Sequence, residues 1–304
     1  MRLLYCGDVV GRSGRQAVLD HIPVLRAAWA LDFVVVNGEN AAGGFGITGG
    51  ICREFFAAGV DVIVTGNHVW DQKDTAAFIA DEPRLLRPMN YPAGAPGRGH
   101  GLFPATGGRQ VAVIQVMGRV FMDALDDPFA AVALALDHHR LKQGGVDAII
   151  LDIHGEATSE KMAMGHFTDG RVSLVCGTHS HVPTADAQIL PGGSAYQTDL
   201  GMTGDYDSVI GFVKEEPVRR FVTKRPGRRF EPAGGMATLC GVYVETDDET
   251  GLAVNVVAVR LGGRLAPSAP VALPPVFTSS GLVAGQMPQA VAGLNQGEGP
   301  DADR

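Results

Sequence analysis

Apolar residues fall in short runs along the first two thirds of the chain. Leu3–Cys6, Phe33–Val36, Val60–Val64, Val111–Val116, Asp147–Ile153 and Val172–Val175 are mostly apolar, at consecutive rather than alternate positions. That pattern predicts strands covered on both faces. Between them lie stretches with helical spacing. Gly14–Trp29 sets Val18, Ile22, Leu25 and Trp29 on one face, with Pro23 a candidate interruption, and further helices are predicted over about Thr48–Ala58 and Lys73–Ala80. Strand, loop and helix repeated three times predict a helix-flanked parallel sheet.

Downstream, Asp127–Lys142 reads as an amphipathic helix and Ser159–His166 as a short one. Ala195–Thr198, Ala237–Glu245 and Leu252–Arg260 read as strands, the last two forming a hairpin around Asp247–Gly251. Residues 85–110 are rich in Pro and Gly and give no clear element. From Gly263 to Arg304 the composition changes to Ala, Pro, Gly and Ser with no periodicity. The expected organisation is one domain over residues 1–262 and a low-complexity mobile tail over 263–304.

The strands end in chemistry. Asp8 follows Gly7, Glu39-Asn40 follow Gly38, and Asn67-His68 follow Gly66. Asp152-Ile153-His154 closes a fourth run, and Cys176-Gly177-Thr178-His179-Ser180-His181 closes a fifth. Any one Asp or Asn there reads better as the N-cap of the next helix. Capping explains the whole series poorly, and Glu is a weak N-cap. Parallel sheets bind ligands at the carboxyl ends of their strands, where a His-x-His turn aims both rings into one cavity. Asp8, Glu39, Asn40, Asn67, His154, His179 and His181 therefore form an oxygen-plus-imidazole set without thiolate, suited to Mn, Fe or Zn. Seven ligands exceed one ion and suit two. Two cations roughly 3.5–4 Å apart hold a bridging hydroxide and support in-line phosphoryl displacement. Glu39, central in the strand order, is the candidate bridge.

Composition narrows the partners. The chain has 304 residues, 45% of them hydrophobic, which is ample for a large core, and a net charge of −8. With no Lys/Arg-rich block read in the sequence, stable duplex nucleic acid is not an expected partner. A small anionic substrate is compatible, because two divalent cations reverse the local sign. The four cysteines, Cys6, Cys52, Cys176 and Cys240, are widely spaced and read as reduced thiols. Met1–Cys6 reads as a strand rather than a signal peptide, and no apolar run approaches the roughly 18 residues of a membrane span. A cytoplasmic protein with no membrane partner is expected, assembled as a homo-oligomer, dimer or tetramer.

The order of these motifs resembles the calcineurin-like metallophosphoesterases. The closer resemblance is to the YmdB-like branch, carried by Gly7-Asp8-Val9-Val10-Gly11, Asn37-Gly38-Glu39-Asn40-Ala41-Ala42-Gly43-Gly44, Gly66-Asn67-His68-Val69-Trp70-Asp71, Glu156-Ala157-Thr158-Ser159-Glu160-Lys161 and Asp199-Leu200-Gly201-Met202-Thr203-Gly204. It runs from Met1 to about Leu261. The resemblance implies a four-layer α/β/β/α sandwich and phosphodiesterase activity toward cyclic nucleotides, 2′,3′- or 3′,5′-cyclic or both. By position it implies one metal on Asp8, Glu39, Asn40 and His181, a second on Glu39, Asn67, His154 and His179, and His68 as general acid. Fe or Mn is the expected metal, with Zn compatible. Two departures from the broad superfamily are shared with this branch. Val10 stands where most members have His, with Asn40 replacing the lost ligand, and Glu39 stands where most bridge with Asp. The alternatives are a phosphomonoesterase or protein phosphatase on the same metal core, and a regulatory RNA-metabolism protein with weak activity.

Overall fold

The computed structural model describes Met1–Val271. Its first half runs β1 (Arg2–Cys6), α1 (Gly11–Ala28), β2 (Phe33–Asn37), α2 (Gly49–Ala57), β3 (Val62–Val64), α3 (Thr75–Asp81), β4 (Leu85–Leu86), β5 (His100–Pro104) and β6 (Gln110–Met117). Then come α4 (Pro128–His138), β7 (Ala148–His154), α5 (Thr158–Thr168), β8 (Leu174–Thr178), β9 (Gln188–Ile189) and β10 (Ala195–Gln197). The last elements are β11 (Gly204–Asp205), α6 (Glu215–Thr223), β12 (Ala237–Thr246) and β13 (Ala253–Leu261).

The strands form two mixed sheets, not the single parallel sheet that periodicity alone predicts. One has the order β11-β12-β1-β2-β3-β4, with β13 on the far side of β12. Within it β1 to β4 are parallel, and β12 runs antiparallel to β1, β11 and β13. The other has the order β5-β6-β7-β8-β10-β9, parallel from β6 to β10 with an antiparallel strand at each edge. The sheets face each other across a core of Leu3, Tyr5, Val35 and Val64 from one and Val113, Ile150, Leu174 and Cys176 from the other. Residues one step along the same strands, such as Ile114, Leu151 and Val175, pack outward with Val132 and Leu136 of α4 and Met164 of α5. Leu4, Val34 and Val36 are likewise buried, as are Val18, Ile22 and Leu25 of α1. This is the four-layer α/β/β/α sandwich that the family resemblance implied. Cover on both faces is why the strands lack alternation.

Several expected boundaries move. Pro23 sits on the exposed side of α1 without breaking it. The helix expected to reach Lys142 stops at His138, because His139 turns extended to meet His100 (Nε2 to Nδ1, 3.1 Å). The Pro/Gly-rich stretch contains β4 and β5, and α6 has no counterpart in the sequence reading. Residues 263–271 are bonded to the domain. Arg260 and Ser268 exchange backbone hydrogen bonds of 2.8 and 3.0 Å, and Arg264 pairs with Asp207 at 2.8 Å. The rest of the segment expected to be a mobile tail lies outside the described residues.

One buried ion pair fastens α5 to the loop after β10. Lys161 Nζ donates to Asp199 Oδ2 (2.7 Å) and to the Thr178 carbonyl (2.8 Å). Asp199 also accepts the Ser180 and Gly201 amides at 3.0 and 2.8 Å. Both side chains are only 1% exposed. Removing one partner leaves the other charged in a low-dielectric interior. Lys161→Met should therefore cost about 3–5 kcal/mol in urea unfolding, with part recovered in the Lys161→Met/Asp199→Asn double variant. A loss below about 1 kcal/mol in the single variant would contradict this role.

Candidate metal centre

Each sheet sends parallel strands toward one edge of the sandwich, and their carboxyl ends meet there. From the first sheet come Asp8 after β1, Glu39 and Asn40 after β2, and Asn67 and His68 after β3. From the second come His154, the last residue of β7, and His179 and His181 just past β8. Neighbouring parallel strands bring their ends side by side, so residues far apart in sequence share one pocket. Asp8, Glu39, Asn40, His154 and His181 are buried, while Asn67, His68 and His179 are half-buried.

The ligating atoms fall into two groups that share one residue. Single atoms of Glu39, His154 and His179 lie within 4.8 Å of one another, and so do single atoms of Asp8, Glu39 and His181. Around the first group, His154 Nε2 is 2.9 Å from Asn67 Oδ1, 3.1 Å from His179 Nδ1 and 3.2 Å from Glu39 Oε1. Asn40 donates its amide nitrogen to the Gly44 carbonyl (3.0 Å), which leaves its buried Oδ1 without a partner. Glu39 Oε1 is a second buried oxygen without a hydrogen bond. His68 stands beside the groups rather than in them. Its backbone amide donates to Glu39 Oε2 (3.2 Å), and its ring is held by Asp71, Nδ1 to Oδ2, at 2.7 Å.

A surrounding layer fixes which atoms face inward. His154 Nδ1 donates to Thr178 Oγ1 (2.9 Å), whose hydroxyl donates to Asp152 Oδ1 (2.9 Å). Asp152 is held in turn by the Tyr5 hydroxyl (2.8 Å) and Gln115 Nε2 (2.7 Å), a chain that crosses between the sheets. With Nδ1 protonated, His154 directs the lone pair of Nε2 into the site. His179 is the mirror case. Its Nε2 faces Glu156 Oε2 at 3.3 Å, leaving Nδ1 as acceptor. His181 spends Nδ1 on the Ile210 carbonyl (2.7 Å), leaving Nε2. Asp8 receives the Asn37 side-chain amide (2.8 Å) and the His179 backbone amide (3.1 Å). His179 and His181 both hold positive φ, 100° and 64°, the strained backbone that clusters at functional sites. Gly66 has no freedom to change, because a Cβ there would enter the space of Glu39 and His154.

This donor set fits cations. Lone pairs of His154, His179, Asn67 and Glu39 converge, and a proton satisfies at most one pair of them, whereas a cation serves all four. The titration behaviour agrees. Burial alone would lower His154, but the Glu39 carboxylate beside it raises it to about 9. Burial and the His154 charge push His179 down to about 3. Burial, with Glu39 nearby, raises the Asp8 carboxyl well above the usual range. A proton on His154 thus stands where positive charge is wanted.

The seven candidate ligands and His68 singled out from the sequence are brought to one edge of the sandwich. The sequence reading assigned no role to Asn37, Asp71, Asp152, Thr178 or the Lys161–Asp199 pair. Asp152 had a local signal, as a carboxylate two residues before His154 inside an otherwise apolar strand. The others orient ligands only through contacts between distant segments.

Known proteins resemble this chain over most of its length. A Bacillus subtilis 2′,3′-cyclic-nucleotide 2′-phosphodiesterase is 47% identical over 261 residues, which is 86% of this chain and 97% of that one. The crystal structure of a hypothetical protein from Thermus thermophilus superposes with a TM-score of 0.80 at 43% identity, covering 87% of this chain and 100% of the other. A Mycoplasma pneumoniae structure described as a novel phosphatase gives 0.78 at 31% identity, covering 89% and 95%. The family model of YmdB-like proteins matches residues 4–259, and the chain belongs to that family.

Proposed function

We propose that the chain is a metal-dependent phosphodiesterase that opens 2′,3′-cyclic nucleotides at the 2′ bond. The observation that carries the reading is the pair of ligand groups sharing Glu39, in a relative of a 2′,3′-cyclic-nucleotide 2′-phosphodiesterase. Asp8, Glu39, Asn40 and His181 would hold one cation, and Glu39, Asn67, His154 and His179 the other. Two such cations supply Lewis acidity toward the phosphoryl oxygens and lower the pKa of water. They leave the pocket with net positive charge, which attracts a phosphodiester anion into a chain of net charge −8.

The protein's own groups do the rest. Glu39 holds the two groups together, and its Oε2 anchors the His68 loop through the backbone amide. His68 is set by Asp71 so that Nδ1 is occupied and Nε2 is left for substrate. In hydrolysis a water oxygen forms the new bond to phosphorus, the P–O2′ bond breaks, and the departing O2′ takes a proton. His68 Nε2 gives that proton, and the water's proton leaves to solvent. A ribose alkoxide is a poor leaving group, so protonation is worth roughly 10²–10⁴-fold.

His68→Ala should keep both metals and lose about 10²–10⁴-fold in kcat on 2′,3′-cyclic AMP. It should lose far less on bis-p-nitrophenyl phosphate, whose leaving group needs no proton. Equal losses on both, or a missing metal, would instead make His68 an orienting residue. Faster turnover of p-nitrophenyl phosphate than of either diester would favour a phosphomonoesterase.

Metal loading should depend on pH in a stated direction. Without cations His154 stays protonated below about 9, and Asp8 is raised as well. Binding must displace these protons, so affinity falls as pH falls, by about tenfold per unit for each proton displaced. Calorimetric titration of the stripped protein with Mn should weaken at least about a hundredfold from pH 8 to pH 6, and excess Mn should restore activity. An affinity flat over that interval would contradict ligation by His154.

A further inference from the structure

Residues 214–229 hold seven Lys and Arg against two Asp and Glu, in a chain that is acidic as a whole. This corrects the reading of the sequence as free of a basic block. Part of the charge is neutralised locally. Glu216 pairs with Arg219 and Arg220 at 2.9 and 2.8 Å, and Lys214 with Asp207 at 2.8 Å. Lys224, Arg225, Arg228 and Arg229 are exposed and have no carboxylate partner among the described residues. Arg219, Arg228 and Arg229 help line an open groove of 580 Å³ between α6 and residues 227–231, which also contains Glu215, Glu216 and Glu231. Beside them Phe221 and Val222 are 71% and 77% exposed, an unusual use of apolar surface on a cationic helix.

A row of rings joins this arm to the candidate metal centre. The His68 ring meets Phe45 edge-on at 5.1 Å. Phe45 stacks on Phe212 at 5.2 Å, and Phe212 lies 5.4 Å from Phe230. The Arg220 guanidinium covers Phe230 at 4.0 Å. Phe212 is buried and serves as the spacer, while Phe45 and Phe230 keep part of their surface open. The row spans no more than about five nucleotides of a stacked strand. Half-open aromatic rings followed by unpaired arginines are what a single strand needs, with bases on the rings and phosphates on the cations. A free mononucleotide has no use for a cationic arm beyond the first ring.

Resting on the phosphodiesterase reading above, we propose that the substrate class is a single-stranded RNA carrying a 2′,3′-cyclic phosphate at its 3′ end. The terminal nucleotide enters between the metal centre and Phe45. The preceding nucleotides run along the open edge of Phe230 toward the exposed cations Lys224, Arg225, Arg228 and Arg229. The chemistry is that already written, with the rest of the strand as the 5′ substituent of the terminal ribose.

The test uses the full-length, Mn-loaded protein on 2′,3′-cyclic AMP and on an oligoribonucleotide of about eight residues ending in a 2′,3′-cyclic phosphate. The wild type should favour the oligonucleotide by at least about tenfold in kcat/KM at low salt, and lose that preference as salt rises. Arg225→Gln/Arg228→Gln/Arg229→Gln should leave the mononucleotide unchanged and remove the preference. Its salt slope should fall by about 2, the value for three phosphate contacts on a single strand. Phe221→Ala should weaken the oligonucleotide without changing the slope. The proposal is overturned by equal kcat/KM on both substrates in the wild type, or by a triple variant that slows both alike. It is also overturned by a triple variant that keeps the oligonucleotide preference but sediments as a different oligomer, which would make the arm an interface between copies. Failure of the wild type on both substrates would sink the phosphodiesterase reading itself.

Discussion

The structure depends on one contact between its two sheets. Glu39, past the end of a strand in the first sheet, meets His154, at the end of a strand in the second, at 3.2 Å, with both side chains essentially out of solvent. Burying a carboxylate there is costly unless positive charge answers it. The fold answers with an imidazole that the carboxylate itself keeps basic, and the surrounding lone pairs are arranged for cations to replace that proton. Behind the contact, Tyr5, Gln115, Asp152 and Thr178 carry hydrogen bonds across the sandwich to the far nitrogen of His154. The two sheets are thus held in register by apolar packing in the middle and by this polar line near the edge.

The same arrangement separates the buried candidate ligands from the residues that reach outward. His154 ends β7, and Asp8, Glu39 and Asn40 follow β1 and β2, all strands paired on both sides, and Gly66 admits no side chain beside Glu39 and His154. His68, Phe45 and the basic arm are carried by loops and by α6, whose one fully buried residue is Pro217. The candidate ligands thus stand at sheet ends and the other candidate residues on connections, the usual division in α/β proteins.

Much of the site was legible because it follows a simple rule. Strands covered on both faces leave continuous apolar runs, and the polar residues at their ends stand out. Asp8, Glu39, Asn40, Asn67, His154, His179 and His181 were all singled out as candidates that way. What was not legible is which strand pairs with which. Apolar runs covered on both faces look alike in either sheet, so β1–β3 and β6–β8 merged into one predicted sheet. Elements with few buried apolar residues were also missed. β4 has two residues, β5 is interrupted by Gly101 and ends on Pro104, and α6 turns most of its length to solvent. Asp152 and Thr178 acquire meaning only when β7 and β8 lie side by side.

The central claim is that Glu39 is shared by two cations. Crystals of the Mn-loaded protein, measured at the metal's absorption edge, test it directly. Two anomalous peaks should flank the Glu39 carboxylate about 3.5–4 Å apart, one against Asp8 and His181 and the other against His154 and His179. A single peak, or a second one remote from Glu39, would contradict it.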